Sequence, residues 1–167
     1  YNNGTSDFLA VIAQRANPEG LPFDDQLTLR LELPLEIVGA TWMKDPTGTP
    51  RAAGELLIRP VDLHKLGQLV LDEGKWNGEQ VVSKAWIDTM LTPSAAYPGY
   101  GLLWWIDTAK DGTVAYRADG YLGQMVFVVP SDGVVITRMR DPRRAGWDDS
   151  KAGWKSFRED AFALLGH

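Results

Sequence analysis

Met125–Val129 reads Met-Val-Phe-Val-Val and leaves neither face of a strand to water. Along a strand, Met125, Phe127 and Val129 point one way and Val126 and Val128 the other. A segment that is apolar on both faces belongs in the middle of a sheet with both sides covered. Pro130-Ser131-Asp132-Gly133 follows with turn chemistry, because Pro presets φ and Gly tolerates a positive φ. Residues 134–139 then return as an antiparallel neighbour. Gly120 and Gly123 stand just ahead of the central strand, where they leave the backbone unshielded by side chains. That suits a tight bend into a core hairpin, and it also suits a ligand that must approach main-chain N–H groups.

The rest of the chain divides by texture. Thr5 or Ser6 can cap a helix to about Arg15 with Phe8, Leu9, Ile12 and Ala13 as its inward stripe. A second helix starts near Phe23-Asp24-Asp25, acidic residues suiting the positive end of the helix dipole, and stops before Pro34. A short strand is expected within 40–43 and a turn at Asp45-Pro46-Thr47-Gly48. Pro60 opens a third helix carrying Leu63, Leu66 and Val70 inward, with His64 off that stripe and read as a solvated surface residue. Asn77-Gly78 turns the chain between short extended pieces, and Ser83 caps a fourth helix with Trp86, Ile87 and Met90 inward. After Thr92-Pro93 the pattern becomes extended, with strands at 100–106 and 113–117. Asp148-Asp149-Ser150 starts a last helix with Trp154, Phe157, Ala161 and Leu164 on one stripe.

Composition removes several classes of function. The formal net charge of −5 provides no basic field to collect phosphates, so nucleic acid is not an expected partner. No apolar run is long enough to span a bilayer as a helix. With Cys 0 and His 2, thiolate chemistry, disulfides and a histidine-rich metal site are excluded, while either cellular compartment stays open. A Ser-His-Asp triad is not expected from His64 or the final residue His167. Nor does Ser-x-x-Lys, which would place a nucleophile and its lysine on one helix face, occur in the 167 residues. Thr41-Trp42-Met43-Lys44 has that spacing but lies in an irregular stretch. Arg138, Arg140, Arg143 and Arg144 could clamp a carboxylate, but they read better as a solvated loop balanced by Asp141, Asp148 and Asp149. Trp104 and Trp105 are adjacent and must face opposite sides of a strand, as core or as the wall of an apolar pocket rather than a sugar platform.

Several segments, in order, carry a family resemblance. Tyr1-Asn2-Asn3 looks like a Tyr-x-Asn motif and leads into a helix of the Gly-Thr-Ser-Asp-Phe-Leu type. Residues 32–41 resemble Pro-Leu-Gly-Met-x-x-Thr, with Glu36 where Gly is usual. Residues 52–71 resemble Ala-Gly-Gly-Leu-x-Ser-x-x-Asp-Leu-x-x-Phe, with Glu55 and Arg59 as departures. Residues 100–105 match Tyr-Gly-x-x-Trp-Trp, and residues 120–124 match Gly-x-x-Gly-Gln. Together these resemble the C-terminal half of the serine β-lactamase and penicillin-binding-protein superfamily, in the branch of class C-like β-lactamases, esterases and 6-aminohexanoate-dimer hydrolases.

That resemblance implies an α+β fold, an antiparallel sheet with flanking helices. Residues 1–95 would belong to a helical subdomain and residues 96–167 to the sheet and its last helix. It implies hydrolysis of a small amide or ester through an acyl-serine intermediate, with no cofactor and no metal. Tyr1 would relay the proton of the serine hydroxyl, its phenolate stabilised by a lysine of Ser-x-x-Lys. Asn3 would hydrogen-bond the substrate carbonyl or that lysine, and the Gln124 N–H would supply half of an oxyanion hole. Gly120, Tyr121, Leu122 and Gly123 would line the substrate, with a neutral phenol where β-lactamases carry the ammonium of Lys-Thr-Gly. The chain, opening without Met, is expected to be inactive alone and to need an N-terminal complement carrying Ser-x-x-Lys. The rival expectation is a non-catalytic module of the same fold that binds a peptide or glycan.

Overall fold

The computed structural model describes residues 3–141 and 151–167, with side chains from 155 onward in the second stretch. The chain forms two compact units, one ending at Asp62 and the other running from Leu63 to His167.

In the first unit, α1 (Asn3–Ala16) packs on α2 (Phe23–Leu27), which continues into a π-helical turn at Thr28–Glu32. The helix is where the sequence places it, but its buried side is not. Ser6 and Ala10 are buried while Phe8, at 67% exposure, Leu9 and Ile12 face outward. Ser6 and Ala10, four apart, form the buried row of α1 instead. The buried amide of Gln26 fastens the connection, donating to the Leu21 carbonyl at 3.0 Å and the Ala13 carbonyl at 3.4 Å. β1 (Thr41–Trp42) and β2 (Leu56–Leu57) pair antiparallel around the Asp45 turn. There Asp45 Oδ1 accepts from the N–H of Thr47 at 2.8 Å and of Thr49 at 3.0 Å. α3 (Pro60–Leu71) begins at the end of this unit, where Arg59 Nε donates to the buried Asp62 carboxylate at 2.6 Å.

The second unit holds the remaining turns of α3 and the short hairpin of β3 (Lys75–Trp76) and β4 (Glu79–Gln80). α4 (Lys84–Leu91) follows, capped by the Ser83 hydroxyl on the Trp86 N–H. The principal sheet comes next, in the order β5 (Trp105–Thr108), β6 (Val114–Asp119), β7 (Met125–Val129), β8 (Val134–Arg138), all antiparallel. Every residue of β7 is buried, as its two apolar faces require. On one face Phe127, Val129 and Ala115 pack with Ala161 and Phe162 of α5 (Lys151–Leu165). On the other, Val126 and Val128 pack with Val70 of α3 and Ile87 of α4. The second unit thus holds α3 and α4, which cover a face of the sheet, together with the sheet itself. Gly67 makes that cover possible, since a Cβ there would lie 2.6 Å from both Val126 Cγ1 and Val135 Cγ1.

Several expectations are corrected here. The strand expected at 100–106 begins only at Trp105, because the chain first loops back through Leu103 at φ 64° to bridge Tyr100 with Trp105. Trp104 and Trp105 do take opposite faces, Trp104 in the core beneath α3 and α4 and Trp105 beneath the Arg117 guanidinium. Trp86 is 53% exposed, leaving Ile87 as the buried residue of α4. Leu164 is 81% exposed, and Phe162 takes the core position instead, one helical step from Ala161. His64 is not merely solvated: partly buried on α3, its Nδ1 lies 3.0 Å from the Thr137 hydroxyl on β8.

Candidate functional site

The 120–124 segment is the loop of the β6–β7 hairpin. Gly120 N–H donates to the Gln124 carbonyl at 2.8 Å, closing a three-residue loop of Tyr121, Leu122 and Gly123. Leu122 (φ 62°) and Gly123 (φ 79°) both take left-handed backbone. Gly accepts this without cost, but a leucine held there is an outlier that its surroundings must enforce.

The enforcement comes from β8 and the residues after it. Arg138 sits across from Met125, directly after the loop. Its Nε donates to the Gly123 carbonyl at 3.0 Å, and its guanidinium lies 4.4 Å from the centroid of the Phe157 ring of α5. A Cβ on Gly123 would come within 2.8 Å of Arg138 Nη2, so this glycine serves close approach by an arginine of the same chain. Burial, then the nearby Arg140, lowers the Arg138 pKa below its ordinary value. Gln124 is fixed through its side chain. Its Nε2 donates to the Arg140 carbonyl at 3.1 Å and its Oε1 accepts the Arg140 N–H at 2.8 Å. The amide thereby acts as one more rung of the β7–β8 ladder. Its own backbone N–H donates to no backbone carbonyl among the described residues.

Beside the loop runs a buried ion network. Arg117 Nε donates to Asp107 at 2.7 Å, its Nη1 pairs with Asp119, and Arg158 Nη1 reaches Asp107 at 3.1 Å. Burial raises the Asp119 pKa, and the attraction of Arg117 offsets part of that rise. Asp119 immediately precedes Gly120 and pairs across the ladder with Met125, so the ions and the loop share one rigid strand end.

Of the residues singled out from the sequence, Gly120, Tyr121, Leu122, Gly123 and Gln124 come together in this loop, with Tyr121 77% exposed at its tip. Asn3 is the exposed first residue of α1 in the other unit. Tyr1 lies outside the described residues, as do Arg143, Arg144, Asp148 and Asp149. Arg138 and Arg140 are corrected from a solvated loop to the framework of the 120–124 turn. Their role was within reach of the sequence. Pairing outward from the Pro130–Asp132 turn sets Arg138 opposite Met125, next to Gln124.

No family model matches the chain. A curated relative, the 6-aminohexanoate-dimer hydrolase of Paenarthrobacter ureafaciens, is 28% identical over 170 residues. The match takes in 92% of this chain and 42% of that protein. Among solved structures, a Bacillus anthracis protein provisionally described as a 6-aminohexanoate-dimer hydrolase superposes with a TM-score of 0.82 at 22% identity, over 98% of this chain and 42% of that one. A provisionally described β-lactamase from Bacteroides dorei DSM 17855 gives 0.63 at 13% identity, over 90% of this chain and 54% of that one. The chain thus spans less than half the length of the curated relative it matches. Its antiparallel sheet with flanking helices has the fold of these β-lactamase-like structures, and in sequence the chain is similar to part of a 6-aminohexanoate-dimer hydrolase.

Proposed function

We propose that this chain is the C-terminal portion of a serine hydrolase that cleaves an amide or ester through an acyl-serine intermediate. The observation that carries the reading is the 120–124 hairpin, with left-handed Leu122 and side-chain-clamped Gln124, whose main-chain N–H at the strand start donates to no backbone carbonyl among the described residues. A fixed N–H of this kind is what stabilises a developing oxyanion, because it need not reorganise as charge appears. Gly120, Tyr121, Leu122 and Gly123 are the proposed substrate-lining residues, and Asn3 the proposed partner of the substrate carbonyl or of the lysine. Tyr1 is the proposed proton relay. The serine Oγ attacks the carbonyl carbon as its proton passes to the Tyr1 phenolate and on to the leaving amine or alcohol. Water then hydrolyses the acyl-serine. Serine and lysine would come from a Ser-x-x-Lys segment outside this chain. In the parent fold, residues 1–95 would lie in the helical subdomain and 96–167 in the sheet subdomain. The relative's name makes the 6-aminohexanoate dimer, two amino acids joined by an amide, the first substrate to try.

The test is hydrolysis of that dimer and of a p-nitrophenyl ester by the chain alone and by the chain coexpressed with a segment carrying Ser-x-x-Lys. Turnover is expected only in the pair, and Tyr1→Phe should lower it about 10²–10⁴-fold. Turnover by the isolated chain that survives Tyr1→Phe would overturn the reading. Failure of the active pair to take a fluorophosphonate label would favour a binding module.

A further inference from the structure

α5 ends in a Schellman motif. The His167 N–H donates to the Phe162 carbonyl at 3.0 Å, the Gly166 N–H donates to Ala163, and Gly166 has φ 91°. This turn swings the His167 ring back against Phe162, edge to face, with centroids 6.4 Å apart. The ring then stands between two turns of the sheet. Its Nδ1 lies 2.7 Å from Asp111 Oδ2 in the β5–β6 turn, and its Nε2 lies 2.9 Å from Asp132 Oδ2 in the β7–β8 turn. The Thr113 hydroxyl lies 3.2 Å from Nδ1. No further ion pair reaches the ring among the described residues.

These distances fix the proton count. An ionised carboxylate only accepts hydrogen bonds, and a neutral imidazole carries one N–H. Carboxylates at both ring nitrogens therefore require both to be protonated. Each carboxylate is also bonded on its other oxygen, Asp111 Oδ1 by the Thr113 N–H at 2.9 Å and Asp132 Oδ1 by the Ser131 hydroxyl at 2.8 Å. Both bonds favour the ionised acid.

We propose that His167 is a proton-operated latch holding the C-terminal turn of α5 against the β5–β6 and β7–β8 turns, closed as imidazolium and released on deprotonation. Loss of one proton turns a ring lone pair toward a carboxylate, so one of the paired contacts becomes repulsive. Asp132 and then Asp111 raise the ring's pKa from its ordinary value, so the latch is fully formed below about pH 6.5 and is lost as pH rises through the raised value. The device is independent of the hydrolase reading.

With His 2 in the chain, NMR titration of the His167 ring is assignable by comparison with His167→Gln. Its midpoint should lie above about 6.5 and fall in both Asp111→Asn and Asp132→Asn. Hydrogen-exchange protection of the Gly166 and His167 amides, corrected for intrinsic rate, should drop about tenfold per pH unit between 6.5 and that midpoint, as release of one proton requires. In His167→Gln it should be low at every pH. A native midpoint at or below about 6.5, or protection flat across that interval, would overturn the latch.

Discussion

Glu36 and Glu55 hold φ of 54° and 62°, the left-handed region, at places where the family pattern has glycine. Glu55→Gly should therefore relieve a side chain held in that region, less the entropy glycine adds to the unfolded state and the lost pairing with Arg51 at 2.9 Å, for a net gain below about 1 kcal/mol. Urea unfolding would measure it. At the loop, Gln124→Leu should cost about 1–2 kcal/mol by stranding the Arg140 N–H and carbonyl, with Gln124→Glu in between, able to accept one bond and unable to give the other. Residue-level chemistry was only partly legible in the sequence. The Gly-x-x-Gly-Gln pattern marks the loop, but the need for Gly123 comes from Arg138, which is remote along the chain and adjacent only once the hairpin register is set.

At the scale of elements, hydrophobic pattern located nearly every helix and strand, and the central strand most securely. A run apolar on both faces has a single place to go, and β7 took it. What the pattern misjudged was facing. In α1 a row of small residues outcompeted the larger apolar stripe, and in α5 Phe162 displaced Leu164. Periodicity counts how many apolar residues share a side, whereas packing depends on how closely backbones approach. The α3–sheet contact illustrates this, and Gly67→Ala should cost about 1–3 kcal/mol by overpacking against Val126 and Val135. The ion network of β5, β6 and α5 was not legible either, because its members are scattered along the chain. Arg117→Met should cost about 3–5 kcal/mol, since it leaves the buried Asp107 and Asp119 carboxylates without their shared partner. Arg158→Met, at the more exposed edge, should cost less.

For the whole molecule, acid stability has a defined source. The Thr113 N–H, then His167, hold Asp111 down to about 2, and His167, then Ser131, lower Asp132. A depressed carboxyl contributes stability above its unfolded value near 4, and the contribution fades as pH falls through the folded value. Melting temperatures from pH 5 to 2 should therefore show Asp111→Asn less stable than the native chain at pH 5 and converging with it near pH 2. Asp119 acts with the opposite sign, because burial raises its pKa and its charging opposes folding as pH climbs past about 4. The units should also open separately. β1 and β2 are two residues long and partly exposed, whereas β7 is wholly buried. Amides of the first unit should exchange well before those of β6–β8. The resemblance carried by the order of segments was readable before any coordinates. The division at Asp62 was not, because it depends on which helices cover the sheet.

The bonds that hold Gln124 reach the main chain of Arg140 and not its guanidinium. For that pair of contacts position 140 is thus indifferent to identity: every amino acid but proline can serve, whereas position 124 demands a carboxamide of one length. Drift at 140 would leave these two bonds in place, and a proline there would remove the N–H that Gln124 Oε1 accepts while sparing the carbonyl.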